Sequence, residues 1–331
     1  MTKVSIVCWT FRHGGIDVLF NGLSKQNYKD FELILVDNRY EHRHEKVIQL
    51  ANLLGINVVH VPEHRRNKHW YIGSSAANTG FMLADGEITM IITDYAYANP
   101  DWIEQHLKHH TNGSKVYVMS PTRYYLDLPE ITNLRDDISI FKDFFDPSIL
   151  STLHPTTEAT TQPPTNAPFD YKFTQPQGPI AHTYCHVKND SFRTDICLDV
   201  GGSDENFDKG KGPWDNEFAY RFSMNGCTLI NDLLAVTENL NPRVIPELRA
   251  KSWGWINQSL EVSEDGRWSY RDGEAYQNTR YAEMLAGKQS KSNNPYDMRE
   301  RRKEIWHWRE LSKEMKPIIP INDIPDSEWY K

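Results

Sequence analysis

Gly86-Glu-Ile-Thr-Met-Ile-Ile-Thr-Asp94-Tyr-Ala-Tyr-Ala-Asn-Pro100-Asp-Trp102 is the stretch on which the fold turns. A Gly-Glu turn leads into Ile88, Met90, Ile91 and Ile92, an apolar run of buried-strand length. The run breaks at Thr93-Asp94, and Asn99-Pro100-Asp101 then opens a helix with Pro early in it. A carboxylate therefore stands at the C-terminal end of a central strand. In open α/β sheets that edge is where ligands bind.

Upstream, the same pattern repeats. Strands are expected from Lys3 to Thr10, from Phe31 to Asn38 (again ending in a carboxylate, Asp37) and from Asn57 to Val61. Helices are expected from Ile16 to Gln26, by the spacing of Ile16, Leu19, Phe20 and Leu23, then from Glu45 to Leu54 and from Ser74 to Ala84. Such strict alternation predicts a doubly wound, mostly parallel sheet. Right-handed crossovers bring the ends of the first, second and fourth strands to one edge. After Trp102 a helix runs through Ile103, His106, Leu107 and His110, followed by a strand from Lys115 to Met119.

The central stretch resembles the sugar-nucleotide strand of family 2 glycosyltransferases of the GT-A fold. Gly86-Glu87, Ile91-Ile92, Asp94 and Pro100-Asp101-Trp102-Ile103 match, while Thr93 and Tyr95 stand where the family's flanking aspartates are usual. Val4-Ser-Ile-Val-Cys-Trp-Thr10-Phe is similar to the family's opening strand, and Leu23 to Asn38 to its second strand with the preceding helix end. Ser74-Ser-Ala-Ala77-Asn78-Thr-Gly80 resembles the helix before the metal strand, with Ala77 in place of Arg. The resemblance implies that Thr10 and Asp37 hold the nucleoside, Asp37 accepting from the uracil N–H, and that Asp94 lies at the diphosphate. A lone Asp after a strand is otherwise a turn or helix cap. A divalent metal, Mn or Mg, is implied on the donor diphosphate, with Asp94 as its surviving carboxylate. Arg65, Arg66 and Lys68 are candidate diphosphate contacts, or else a solvated basic loop.

The second informative stretch is Asp199-Val-Gly201-Gly202-Ser-Asp204-Glu205-Asn-Phe207, then Gly210-Lys-Gly-Pro-Trp214-Asp215-Asn216-Glu217-Phe-Ala-Tyr220-Arg221. It resembles the acidic, glycine-rich catalytic segment of family 2 and galactosyltransferase-type enzymes, with Trp214 where a Glu is usual. An inverting transfer needs one base to take the acceptor hydroxyl proton, and Asp215 at a helix start is the candidate. Asp215 and Glu217 would also favour a helix N-terminus electrostatically, whatever else they do. Gly201-Gly202 are expected to let the backbone approach the donor sugar. Ala181 to Val187 is expected as a strand that puts His182, Tyr184 and His186 on one face, either histidine being a replacement metal ligand or an ordinary surface or core residue.

The expected organisation is a glycosyltransferase domain over 1–240, with a nucleotide-binding half (1–120), a loop insertion (124–178) and an acceptor half (179–240). A C-terminal helical or irregular appendage follows over 241–331. The insertion contains the polar, Pro-rich run Thr156 to Pro168, which is neither core strand nor helix. Arg299 to Leu311 is expected as one charged amphipathic helix, packed on the domain or forming a homodimer or peripheral contact.

Composition sets outer limits. The 331 residues suffice for a large core, and the net charge of −8 argues against a broad nucleic-acid surface. No apolar run approaches the roughly 20 residues of a membrane span, and Met1 to Val7 read straight into a strand without a signal peptide. Cys8, Cys185, Cys197 and Cys227 lack metal-ligand spacing, which suits reduced thiols and a cytoplasmic location. The expected partners are a nucleotide-sugar donor, UDP-linked, and a carbohydrate or glycoconjugate acceptor. Two alternatives stand beside transfer: a nucleotidyltransferase on a similar sheet, and a catalytically degenerate binding or scaffold protein. Within transfer, a metal-independent route with Arg or Lys neutralising the leaving group is a further option.

Overall fold

The computed structural model describes residues 3–10, 15–65, 73–94, 96–111, 113–124, 175–205, 207, 214–239 and 296–321. Strands β1 (Val4–Thr10), β2 (Phe31–Asp37), β3 (Val58–Val61) and β4 (Ile88–Ile92) lie where alternation places them, separated by α1 (Ile16–Ser24), α2 (Tyr40–Leu54) and α3 (Ser74–Leu83). Parallel pairing sets Val4 beside both Phe31 and Ile88, and Thr10 beside Asp37. The C-terminal ends of β1, β2 and β4 therefore meet at one edge.

The sheet continues beyond β4 in a way that simple alternation does not predict. After β5 (Ala96–Ala98) and α4 (Trp102–Leu107), the chain adds β6 (Val116–Met119), β7 (Thr122–Tyr124), β8 (Gly178–Pro179) and β9 (Asn189–Arg193). Then come α5 (Thr194–Asp199), α6 (Trp214–Met224), β10 (Thr228–Asn231) and β11 (Thr237–Asn239). The main sheet runs β3-β2-β1-β4-β9-β6-β10-β8, while β5, β11 and β7 form a separate small sheet. β9 is antiparallel to both its neighbours. Its polar residues can be buried because partners meet them: Asn189 Oδ1 accepts from Trp102 Nε1 at 2.7 Å, its amide donates to Pro121 O and Ala235 O, and Ser191 Oγ bonds His106 and His110.

Period-two alternation divides the core between the faces of the sheet. Val4, Ile6 and Cys8 of β1 pack with α1, α2 and α4. Val7 faces α3 and α6, where Phe81, Tyr117, Phe192, Phe218 and Phe222 form an aromatic cluster. Helix α3 lies so close to β1 that a Cβ on Gly80 would come within 2.2 Å of Val7 Cγ1. Only glycine fits there without moving the helix.

The C-terminal segment expected as one helix is two, α7 (Met298–Ile305) and α8 (Trp308–Lys313), divided at Trp306-His307. Asp297 caps α7 through Arg299 N and Glu300 N. Met298, Ile305 and Trp308 enter the core on the α3 face, so the apolar side of this pair is used within its own chain. Arg309 reaches under the sheet to Glu32, with Nη2 at 2.5 Å, and also donates to Leu83 O. No helix among the described residues is long and apolar enough to cross a membrane. All four cysteines are free and buried.

Candidate active site

Thr10 ends β1 and Asp94 stands just past β4, and the fold makes them neighbours: Thr10 Oγ1 donates to Asp94 Oδ2 at 2.8 Å. Both are almost wholly buried, at 2 % exposure each. Beside them Thr93 Oγ1 accepts from Asn239 Nδ2 at 3.0 Å, which braces the strand end. A divalent ion carried on a diphosphate needs only one or two protein carboxylates besides the phosphates, and Asp94 fits as a single ligand. Among the described residues no group of three metal-binding side chains occurs.

Asp37, at the end of β2, is more occupied than its sequence context suggests. Its carboxylate receives the Arg43 guanidinium as a fork, Nε at 2.5 Å and Nη2 at 2.8 Å, together with Arg39 N and His60 Nε2 at 3.0 Å. Burial alone would raise its pKa; the Arg43 charge and the hydrogen bonds from His60 and Arg43 outweigh it and hold the carboxyl well below the usual range. His60 in turn meets His44 ring to ring, with Nδ1 atoms 2.9 Å apart. Burial, then repulsion from His60, pushes His44 down to about 4.

These shifts fix an acid sensitivity. A histidine whose folded pKa is depressed takes up its proton more readily in the unfolded chain, so stability is lost as pH falls from about 6.5 downwards. The loss for His44 continues through about 4. Asp37, also depressed, contributes stability above its unfolded pKa of about 3.9 and loses it as pH falls further. Urea midpoints measured from pH 7 to pH 3 are expected to fall in both windows, and His44→Gln to lessen the fall in the upper one, to which the depressed His64 and His110 also contribute.

The helix bearing Asp215 is anchored at the same edge. Trp214 at the start of α6 packs edge-on against Trp9 of β1, with ring centroids 6.3 Å apart, which brings the helix N-terminus to the C-terminal end of β1. Asp215 is half-buried, and its Oδ1 accepts from Asn216 N at 3.0 Å. Asn216, turned so that both ends of its amide are satisfied, donates to Cys185 O at 2.9 Å and reaches Asp215 Oδ1 at 3.3 Å. Glu217 is committed elsewhere: it is paired with Arg221, which also donates to Val200 O at 3.0 Å.

Several residues singled out in the sequence take other positions. Residues 182–184 form a single 3-10 turn rather than a strand, so His182 and His186 do not share a strand face. His182 packs on the Tyr220 ring at 4.7 Å, and His186 Nδ1 lies 3.2 Å from Lys188 Nζ. The turn packs against α6 instead. Gly202, at φ 65°, packs against Asn78, whose Oδ1 would lie 2.3 Å from an added Cβ; that close approach is to the protein itself. Gly201 also has positive φ, at 83°. Arg65 is buried near Glu205, at 3.9 Å, and Arg66 and Lys68 lie outside the described residues.

Glu205 is a hub that sequence reasoning missed. Asn78 Nδ2 donates to it at 2.8 Å, the Tyr296 hydroxyl donates to it, and His64 lies at 3.7 Å. Asn78 also exchanges two hydrogen bonds with the Ser203 backbone. Burial first, then the Arg301 and Arg65 charges, push His64 down to about 3. Arg43 was legible in principle. With α2 beginning at Tyr40, it falls on the buried stripe of Tyr40, Val47 and Leu50, where a cation demands a buried anion.

A profile of known families, that described as glycosyl transferase family 2, matches residues 6–187, more than half of the chain. The match covers the Thr10–Asp94 edge and ends before α6. A search of curated proteins finds no match. Among solved structures, the mannosyltransferase PcManGT from Pyrobaculum calidifontis, in complex with GDP-Man and Mn2+, aligns at 15 % identity over 95 % of this chain and 73 % of its own, with a TM-score of 0.50. TarS of S. aureus, residues 1–349, aligns at 14 % identity over 86 % of this chain and 70 % of its own, with a TM-score of 0.48. The likeness to the mannosyltransferase is one of fold.

Proposed function

Because the chain belongs to glycosyl transferase family 2, we propose that it transfers a hexosyl group from a UDP-linked donor to an acceptor hydroxyl, with inversion and with Asp215 as general base. The observation that carries this is the convergence at one sheet edge of Thr10 bonded to Asp94 and, through the Trp9–Trp214 contact, the helix whose first turn holds Asp215. Asp215 takes the acceptor hydroxyl proton as the oxygen attacks the anomeric carbon. The bond from that carbon to the diphosphate breaks, and the electron pair leaves with the nucleoside diphosphate. A divalent cation, when bound, neutralises the charge that develops there, with Asp94 as its protein ligand. Asp37, forked to Arg43, supports the nucleoside end by fixing the Asn38-Arg39 turn. Arg66 and Lys68 are retained as diphosphate contacts on their basic character.

Calorimetric titration with UDP and GDP, with and without manganese, tests the donor site. UDP binding is expected to strengthen with manganese and to weaken by at least roughly tenfold in Asp94→Ala. Metal-independent binding would move the diphosphate role to Arg or Lys. Absence of binding to either nucleotide under both conditions would favour a scaffold on the same fold.

A further inference from the structure

At the end of the sheet opposite Thr10 and Asp94 lies an open cavity of about 930 Å³, formed by the turn before β4, the start of α5 and one side of α7. Its walls combine charges with one aromatic ring, that of Trp306. Most of those charges are already matched. Arg193 pairs with Glu87 at 3.3 Å and Asp195 at 2.9 Å, Arg299 with Asp199 at 2.6 Å, Lys303 with Glu300 at 2.6 Å, and Asp85 with Lys3.

Arg302 is the exception. It is half-buried, its guanidinium lies over the Trp306 ring at 4.4 Å, and it makes no ion pair among the described residues. Burial foremost lowers its pKa; attraction from Asp85 opposes this, repulsion from Arg309 and Arg299 adds to it, and Glu32 opposes it least. A cation held in such surroundings gains from an anion more than a solvated one does, because its water is already partly stripped and its fork is pre-set by stacking. The neighbouring carboxylates of Glu300 and Asp195 have lone pairs beyond those their ion pairs use, and these can accept from hydroxyl groups. The cavity lies within the range of small-ligand sites and is far larger than a lone anion requires.

We propose that this cavity is a second binding site, for an anionic saccharide whose phosphate or carboxylate sits on Arg302 while its hydroxyls donate to the carboxylates of the wall. β4 runs between the cavity and Asp94, roughly 20 Å at the rise of a strand, so a ligand here is not the one that reacts. The site holds a saccharide apart from the donor edge, and it stands whether or not the transfer proposed above is correct.

The test is calorimetry on the full chain with glucose 6-phosphate, glucuronate and glucose as probes. Saturable binding of one or both anions, but not of glucose, is expected, and the arm that responds identifies phosphate or carboxylate as the recognised group. Arg302→Gln is expected to weaken binding by about tenfold, the worth of a charge-assisted hydrogen bond. Asp94→Ala and saturating UDP are expected to leave it unchanged. Should Arg302→Gln not fold, Arg302→Lys serves instead, since it keeps the charge and loses the fork. Absence of saturable binding to both anions, equal affinity in the Arg302 variant, or displacement by UDP would each overturn the proposal.

Discussion

Asp215→Asn is expected to lower kcat for sugar transfer by about 10²–10⁴-fold, the usual contribution of a positioned general base, and to leave UDP affinity within a factor of about two. The substitution keeps the size of the side chain and the acceptor oxygen that Asn216 N reaches at 3.0 Å, so α6 should begin unchanged. What disappears is the basic carboxylate. Glu217 cannot replace it, because both its oxygens are held by Arg221 inside the same helix. Steady-state kinetics with the donor and acceptor that the wild-type protein uses, alongside UDP titration, make the check. Loss of UDP binding together with turnover would instead mean that Asp215 supports the donor site, and undiminished turnover would remove it from the base role altogether.

The second large effect concerns stability. Arg309→Ala is expected to destabilise the chain by about 3–5 kcal/mol, because it leaves a buried carboxylate without its cation. Glu32 is wholly buried; besides the guanidinium it accepts, among the described residues, only from Ser5 Oγ at 2.7 Å and from Asp85 N at 3.1 Å. Arg309 also holds Leu83 O at 2.6 Å, so the end of α3 loses a partner as well. The double variant Glu32→Gln with Arg309→Met should recover much of the loss, since neutral Gln can keep the two remaining bonds and Met fills the stem of the arginine. Urea denaturation of the wild type and the two variants decides the matter. A loss below about 1 kcal/mol in Arg309→Ala would place the pair among surface-like salt bridges and would detach the C-terminal helices from the stability of the sheet.

The two predictions separate what local sequence carries from what it does not. The first four strands were legible because each is an apolar run bounded by turn residues, and a run buried on both faces needs no partner to be recognised. β9 was not legible as a core strand. Asn189, Asp190 and Ser191 are polar, and their burial depends on Trp102, Pro121 and Ala235 for Asn189, Tyr117 for Asp190, and His106 and His110 for Ser191, which reach them only after the chain has folded. The same reasoning covers the helix break at Trp306-His307. The charge pattern of Arg299 to Leu311 suits one helix, yet two segments are needed to carry Met298 to the α3 face and Arg309 beneath the sheet.

By itself, then, the sequence determined the parallel α/β architecture, the edge at which Thr10, Asp37 and Asp94 gather, and the helix that begins at Trp214-Asp215, because hydrophobic period and turn chemistry act over a few residues. Tertiary structure alone decided how each of those groups is used. It bonded Thr10 to Asp94, closed Asp37 into a fork with Arg43 and His60, drew Glu205 into a knot with Asn78 and Tyr296, and left Arg302 over an indole ring without an ion pair among the described residues. Those outcomes depend on pairs far apart in the chain, where burial strengthens each charge interaction and makes the identity of the partner, rather than the residue type, set the chemistry.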